Sequence, residues 1–171
     1  ARLAVNKRYA AAGDVIRAGD ELALIPPVSG GAGPHVRVTG DPLDVAVLHQ
    51  LVTSADCGAV VVFSGTAHGA DHLYLEAYEE MALLRIEEIA EQLLRRYRLG
   101  AVAIEHRIGD VPPPDPTVIV AVSAPQPSAA FSAAHEAIDR IKVEAPIWRL
   151  EIDDGFRSWD RGDPSVFLRE A

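Results

Sequence analysis

Cysteine is almost missing from this chain. Cys57 is the only one, so an intramolecular disulfide and a Cys-x-x-Cys redox or zinc pair are both excluded. Positive charge is scarce too: Lys and Arg number 16 against 25 Asp and Glu, a net charge of −9. That balance speaks against nucleic acid as a bulk electrostatic partner. No apolar run approaches the ~18 residues of a membrane-spanning helix, and no signal peptide is read before the first strand, so the expectation is a cytoplasmic protein with no membrane partner. Internal repeats are absent. What is present is a chain of 171 residues, 49% hydrophobic, enough for one or two small domains with a real core. Cys57 lies just before an apolar strand, where a core filler and a reactive thiol are both readings to weigh.

Near the N-terminus, Gly19-Asp20-Glu21-Leu22-Ala23-Leu24-Ile25 reads as a turn running into an apolar strand, followed by Pro26-Pro27-Val28-Ser29-Gly30-Gly31. Two prolines stop the ladder and two glycines finish it, leaving a thin, extended tail. Such a tail can thread a narrow channel in a partner, because only glycine lets backbone approach a reactive centre so closely. On composition alone the segment reads as a Pro/Gly linker after a strand. The region up to Gly31 offers two strands, Leu3 to Tyr9 and Glu21 to Ile25, and an isolated hairpin is marginal in water. The expectation is the end of a longer domain over residues 1–31, a linker over 32–34, and a second domain over 35–171.

From His35 onward the pattern is α/β. Val36 to Val38 is a short strand, and Asp41-Pro42 supplies an N-cap and a first-turn proline for a helix reaching Thr53. Gly58 to Ser64 is an apolar strand, Gly65 to His72 a loop, and Leu73 to Tyr78 an alternating strand. Leu83, Ile86, Ala90, Leu93 and Tyr97 recur at helical steps, predicting a helix over Glu79 to Tyr97 that Gly100 stops. Strands follow at Val102 to Arg107 and Thr117 to Ser123, around the Pro112-Pro113-Pro114 loop. A helix over Ser128 to Lys142 is ended by Pro146, and Trp148 to Ile152 is the last strand. Basic residues gather late, at Arg140, Lys142, Arg149, Arg157 and Arg161, placing a local anion site on an acidic body.

Several stretches carry a family resemblance. They are Val62-Phe63-Ser64-Gly65-Thr66, Leu75-Glu76-Ala77-Tyr78-Glu79-Glu80-Met81-Ala82, Ile104-Glu105-His106-Arg107-Ile108-Gly109, Ile138-Asp139-Arg140-Ile141-Lys142 and Ala145-Pro146-Ile147-Trp148-Arg149-Leu150-Glu151. In this order they resemble the catalytic large subunit of molybdopterin synthase over nearly the whole second region. The tail ending in Gly30-Gly31, with Leu3-Ala4-Val5-Asn6 and Gly19-Asp20-Glu21, resembles the C-terminus of that enzyme's small, ubiquitin-like sulfur carrier. The fold implied is α/β (α+β): a hammerhead-like α/β domain preceded by a truncated ubiquitin-like β-grasp fragment. The activity implied is transfer of two sulfurs from carrier thiocarboxylates to cyclic pyranopterin monophosphate, giving molybdopterin. Implied partners are the small-subunit carrier, on this or a separate chain, and a second large subunit in a homodimer. The strands from Val102 and Thr117 and the late helix are expected to build its two-fold interface. No cofactor is expected.

The resemblance also implies site residues. Lys142 matches the family's principal catalytic lysine, as thiocarboxylate holder or proton donor; by itself it reads as a solvated lysine stabilising the dipole at a helix end. Arg149 stands where the family usually has a second lysine, and it keeps the charge without readily giving up a proton. His106 and Arg107 fall on a His-Arg-x-Gly strand end as substrate contacts, with a structural ion pair as the other reading of Arg107. Arg140 is a further substrate-binding candidate. His68 replaces a customary arginine and is a candidate hydrogen-bond donor to the substrate phosphate; His68 with His72, lacking a third ligand, makes a weak metal pair. The family's second His-Arg pair is Pro125-Gln126 here, which removes cationic donors. Gly30 and Gly31 form the carrier C-terminus. A large-subunit homologue that binds the tail with little turnover is the alternative function.

Overall fold

The computed structural model describes residues 2–5, 8–9, 19, 22–25, 33–67, 72–153 and 156–160, with side chains over 33–67 and 72–151. The chain forms two compact units, Ala1–Ala32 and Gly33–Ala171. In the first, β1 (Arg2–Val5) pairs antiparallel with both β2 (Arg8–Tyr9) and β3 (Leu22–Ile25), in the order β2-β1-β3. The expected single strand from Leu3 to Tyr9 is thus a hairpin, Ala4 opposite Tyr9. Gly30 and Gly31 lie outside the described residues.

The second unit is mixed α/β, with two four-stranded sheets. The larger contains β4 (His35–Thr39), β5 (Ala59–Thr66), β7 (Ala101–Arg107) and β9 (Pro116–Ala124), in the order β4-β7-β9-β5. The smaller contains β6 (His72–Ala77), β8 (Gly109–Val111), β10 (Ile147–Asp153) and β11 (Phe156–Asp160), in the order β11-β10-β6-β8. Only β4 and β7 run parallel among these pairs.

Helices cover both faces of the larger sheet. Leu48 and Val52 of α1 (Val45–Val52), with Leu43 ahead of it, bury Ala103, Ile119 and Ala121. The opposite face, Val102, Ile104, Val118, Val120 and Val122, packs on α2 (Glu79–Tyr97) and α3 (Pro127–Glu144). Ile86, Ile89 and Leu93 of α2 are fully buried at three- and four-residue spacing, each contributing about 2 kcal/mol of apolar burial. Alanines 130, 134 and 137 give α3 a smooth face that lies close on the sheet.

Several expectations need correcting. The first helix does not start after Asp41: Asp44 caps it, its carboxylate accepting from the Ala46 and Val47 amides at 2.8 and 3.3 Å, because a carboxylate at that point satisfies the first free N–H groups. Gly100 does not end α2; Arg98 does, in a left-handed conformation (φ 50°, ψ 49°), its N–H donating to the Leu94 carbonyl. Gly100 is instead a packing position, where a Cβ would collide with Cys57 Sγ. The strand expected to end at Ser64 runs on to Thr66, shortening the following loop. Two strands, β8 and β11, were not expected, and β10 is not the last. Finally, β7 and β9 are the inner strands of their sheet, and Val102–Arg107 and Val118–Ala124 are buried within one chain.

Candidate active site

The chain turns sharply between α3 and β10, and that corner carries the two leading candidates. The last turn of α3 holds Lys142, whose side chain is exposed. Ala145 closes the helix, its N–H donating to the Ile141 carbonyl, and Pro146 prevents another turn. The Pro146 carbonyl then accepts from the Tyr78 amide at 3.3 Å, tying the corner to the start of α2. Tyr78 also meets Trp148 edge-on, ring centroids 5.3 Å apart. Three residues beyond Pro146, Arg149 sits in β10 opposite Leu75 of β6. It therefore shares a face with Leu75 and Leu73, and pairs with Glu151 at 2.7 Å.

Lys142 is the one predicted cation in the described structure that makes no ion pair among the described residues. At the C-terminal end of α3 its charge complements the partial negative charge of the free carbonyls. An exposed ammonium with no ion-pair partner among the described residues is available to an incoming anion.

The other predicted contacts are spent or turned inward. Arg140 donates Nε and a terminal N–H to Glu144 at 2.7 and 3.2 Å, and lies 3.8 Å from Glu136. Its charge is held within α3. Arg107, only 7% exposed, donates to Asp115 at 2.8 Å, so the ion-pair reading of this residue describes what the structure contains. His106 points to the opposite face of β7 and is 8% exposed. Its Nδ1–H donates to the Arg107 carbonyl at 2.8 Å, since a carbonyl can only accept. Burial pushes its pKa down to about 4, against the smaller opposing effect of that bond. The imidazole is neutral at pH 7 and offers no cation to a phosphate. His68 lies outside the described residues. Pro125 precedes α3 and Gln126 occupies its N-cap without a side-chain cap bond.

Two clusters escaped the sequence reading. Glu105, 4% exposed at the middle of β7, accepts from His35 at 2.9 Å and Arg37 at 2.8 Å on the parallel neighbour β4. Burial alone would raise its pKa, yet the two donors hold it below the usual carboxylate value. A glutamate directly after the apolar run Ala101–Ile104 was the available signal. The second cluster joins Arg85 and Arg96 of α2 to Glu144 and Glu136 of α3, with Tyr97 donating to Glu136 at 2.7 Å. Among the described residues no group of three or more His, Cys, Asp or Glu is placed to hold a metal ion. No helix there is long and apolar enough to cross a membrane.

The MoaE protein family model matches residues 38–144, which span most of the larger sheet, the helices on both its faces, and Lys142. The chain belongs to the MoaE family. The ThiS family model matches residues 1–31, ending at Gly31. The molybdopterin synthase catalytic subunit of Drosophila melanogaster is 40% identical over 128 residues, covering 71% of this chain and 35% of that protein. The chain thus spans about a third of the length of that relative. The corresponding subunit of Culex quinquefasciatus is 39% identical over 124 residues, 68% of this chain and 79% of that protein. Among solved structures, molybdopterin synthase from Staphylococcus aureus superposes with a TM-score of 0.70 at 30% identity, covering 74% of this chain and 96% of that one. A complex of subunits 1 and 2 of molybdopterin-converting factor from Helicobacter pylori matches with a TM-score of 0.64 at 18% identity, a likeness of fold.

Proposed function

We propose that the MoaE-family unit is the catalytic part of a molybdopterin synthase, moving sulfur from a carrier's C-terminal glycine thiocarboxylate onto cyclic pyranopterin monophosphate. The observation that carries this reading is Lys142: exposed, in the last turn of α3, without an ion-pair partner among the described residues, and inside the matched span. A thiocarboxylate is itself a soft sulfur nucleophile and needs no cysteine relay, which suits a chain whose single thiol packs against Gly100. What the protein must supply is positive charge where anionic sulfur, carbonyl oxygen and phosphate gather. Lys142 provides an ammonium that can hold the thiocarboxylate and donate a proton. Arg149, across the corner, provides a guanidinium suited to gripping phosphate or carboxylate but not to proton transfer. His68 is proposed to donate a hydrogen bond to the substrate phosphate, and no resident cofactor enters the scheme.

The partners proposed are a small-subunit carrier and a second copy of this chain. The proposed two-fold interface draws on the strands from Val102 and Thr117 and on α3; sedimentation showing only monomer at micromolar concentration would remove it. A competing reading, tail binding with little turnover, draws on Pro125-Gln126 and on the engagement of Arg107 and Arg140 by carboxylates. A sulfur-transfer assay separates the two. The full chain, given thiocarboxylated carrier and cyclic pyranopterin monophosphate, should form molybdopterin over many turnovers; carrier binding without product would establish the competing reading.

A further inference from the structure

The corner that presents Lys142 is tied to α2 at two points. One is the Tyr78 amide on the Pro146 carbonyl. The other is Glu144, the last residue of α3, whose carboxylate accepts from Arg85 of α2 as well as from Nε and a terminal nitrogen of Arg140. Three guanidinium donors from two helices converge on one carboxylate, two residues after Lys142. Arg85 is itself steadied by Glu88 at 2.6 Å.

Helix ends fray because the last carbonyls have no partner within the helix. An anchored final residue removes that freedom from the turn carrying Lys142. The ion pairs are half-exposed, Arg85 at 39% and Glu144 at 24%, so they contribute little to global stability. The α2–α3 packing is already secured by Ile86, Ile89, Leu93, Ile138 and Ile141, and at its far end by Arg96 and Tyr97 on Glu136. Glu136 lies about 12 Å from Glu144 along α3, at 1.5 Å per residue. Placement of a reacting group is far more sensitive than stability to such a tether, since a displacement near 1 Å can cost about a hundredfold in rate.

We infer that Arg85 and Glu144, with Arg140, are positioning residues: they fix the last turn of α3 and so set where the Lys142 ammonium meets the thiocarboxylate. Arg140 accordingly acts through Glu144 rather than on substrate. The inference rests on the proposed role of Lys142.

The test measures kcat and KM of the full chain with thiocarboxylated carrier and cyclic pyranopterin monophosphate, alongside thermal melts. Arg85→Ala should lower kcat about tenfold to a hundredfold, leaving the KM for carrier unchanged. Arg85→Lys, which restores a cation, should recover most of that loss, and Glu144→Gln should behave like Arg85→Ala. Arg96→Ala, which removes the ion pair at the far end, should keep the wild-type kcat. A wild-type kcat in either Arg85→Ala or Glu144→Gln overturns the inference, as does an equal loss in Arg96→Ala. If Arg85→Ala fails to fold, Glu144→Gln and the Arg85→Lys recovery carry the same decision. Lys142→Ala in the same assay separates the two levels. Its inactivity beside a fully active Arg85→Ala sinks the positioning role alone, whereas its full activity removes the role of Lys142 on which that inference rests.

Discussion

His106 shows how burial settles a residue's chemistry. The family resemblance offered it as a substrate contact; the structure gives it a buried site, one hydrogen bond to the Arg107 carbonyl and a pKa of about 4. The unfolded chain takes up this proton near pH 6.5, and the folded one only near pH 4. Stability from this site is therefore complete above pH 6.5, falls as pH drops from 6.5 to 4, and changes little below. The loss over that window is roughly 3 kcal/mol. Urea unfolding at several pH values should show a steeper decline for the wild type than for His106→Gln; parallel curves would mean that His106 is solvated. Arg107 and Arg140 teach the complementary lesson. Their charges were legible in sequence, but Asp115 and Glu144, which hold them, were not identifiable as partners until the fold brought them into reach.

At the scale of elements, legibility followed the strength of local signals. α2 was foreseen over its full span, because its apolar stripe, acidic first turn and basic last turn agree. α1 was misplaced at its start because Asp41-Pro42 and Asp44 are rival caps, and only tertiary packing of Leu43 and Leu48 chooses between them. β8 has three residues before a proline, too few for any period to register, and exists because β6 offers Leu73, Tyr74 and Leu75 as an edge. The tie between Arg85 and Glu144 spans 59 residues of sequence, beyond any local rule. Gly100 misled for a different reason: glycine at a helix end suggests a stop, whereas here it makes room for Cys57 Sγ and donates its N–H to the Ser123 carbonyl at 2.8 Å. Gly100→Ala should therefore destabilise the fold by about 1–3 kcal/mol through overpacking. Adding Cys57→Ala should relieve most of that cost, a non-additivity that chemical denaturation of the two single variants and the double variant would detect. Strict additivity would place the thiol elsewhere.

For the whole molecule, the two family matches set a chemical problem, since the first ends at Gly31 and the chain continues into Ala32. A thiocarboxylate forms only at a free C-terminal carboxyl, because an internal peptide carbonyl has no oxygen to activate and replace. The intact chain should thus be inactive as a sulfur donor while its MoaE-family unit accepts a tail from a separate carrier. Mass spectrometry of the protein from its native host should find either cleavage between Gly31 and Ala32 or a second carrier protein. Uncut chain supporting molybdopterin formation with no other carrier present would refute this arrangement.

The central claim, sulfur transfer dependent on Lys142, is tested most directly by comparing wild type with Lys142→Ala in molybdopterin formation from cyclic pyranopterin monophosphate and thiocarboxylated carrier. A charge at a helix end contributes about 0.3–1 kcal/mol to stability, so the variant should fold and melt nearly as the wild type does. The account predicts that it forms no product above background while the wild type turns over. Equal product formation by the two proteins would contradict it.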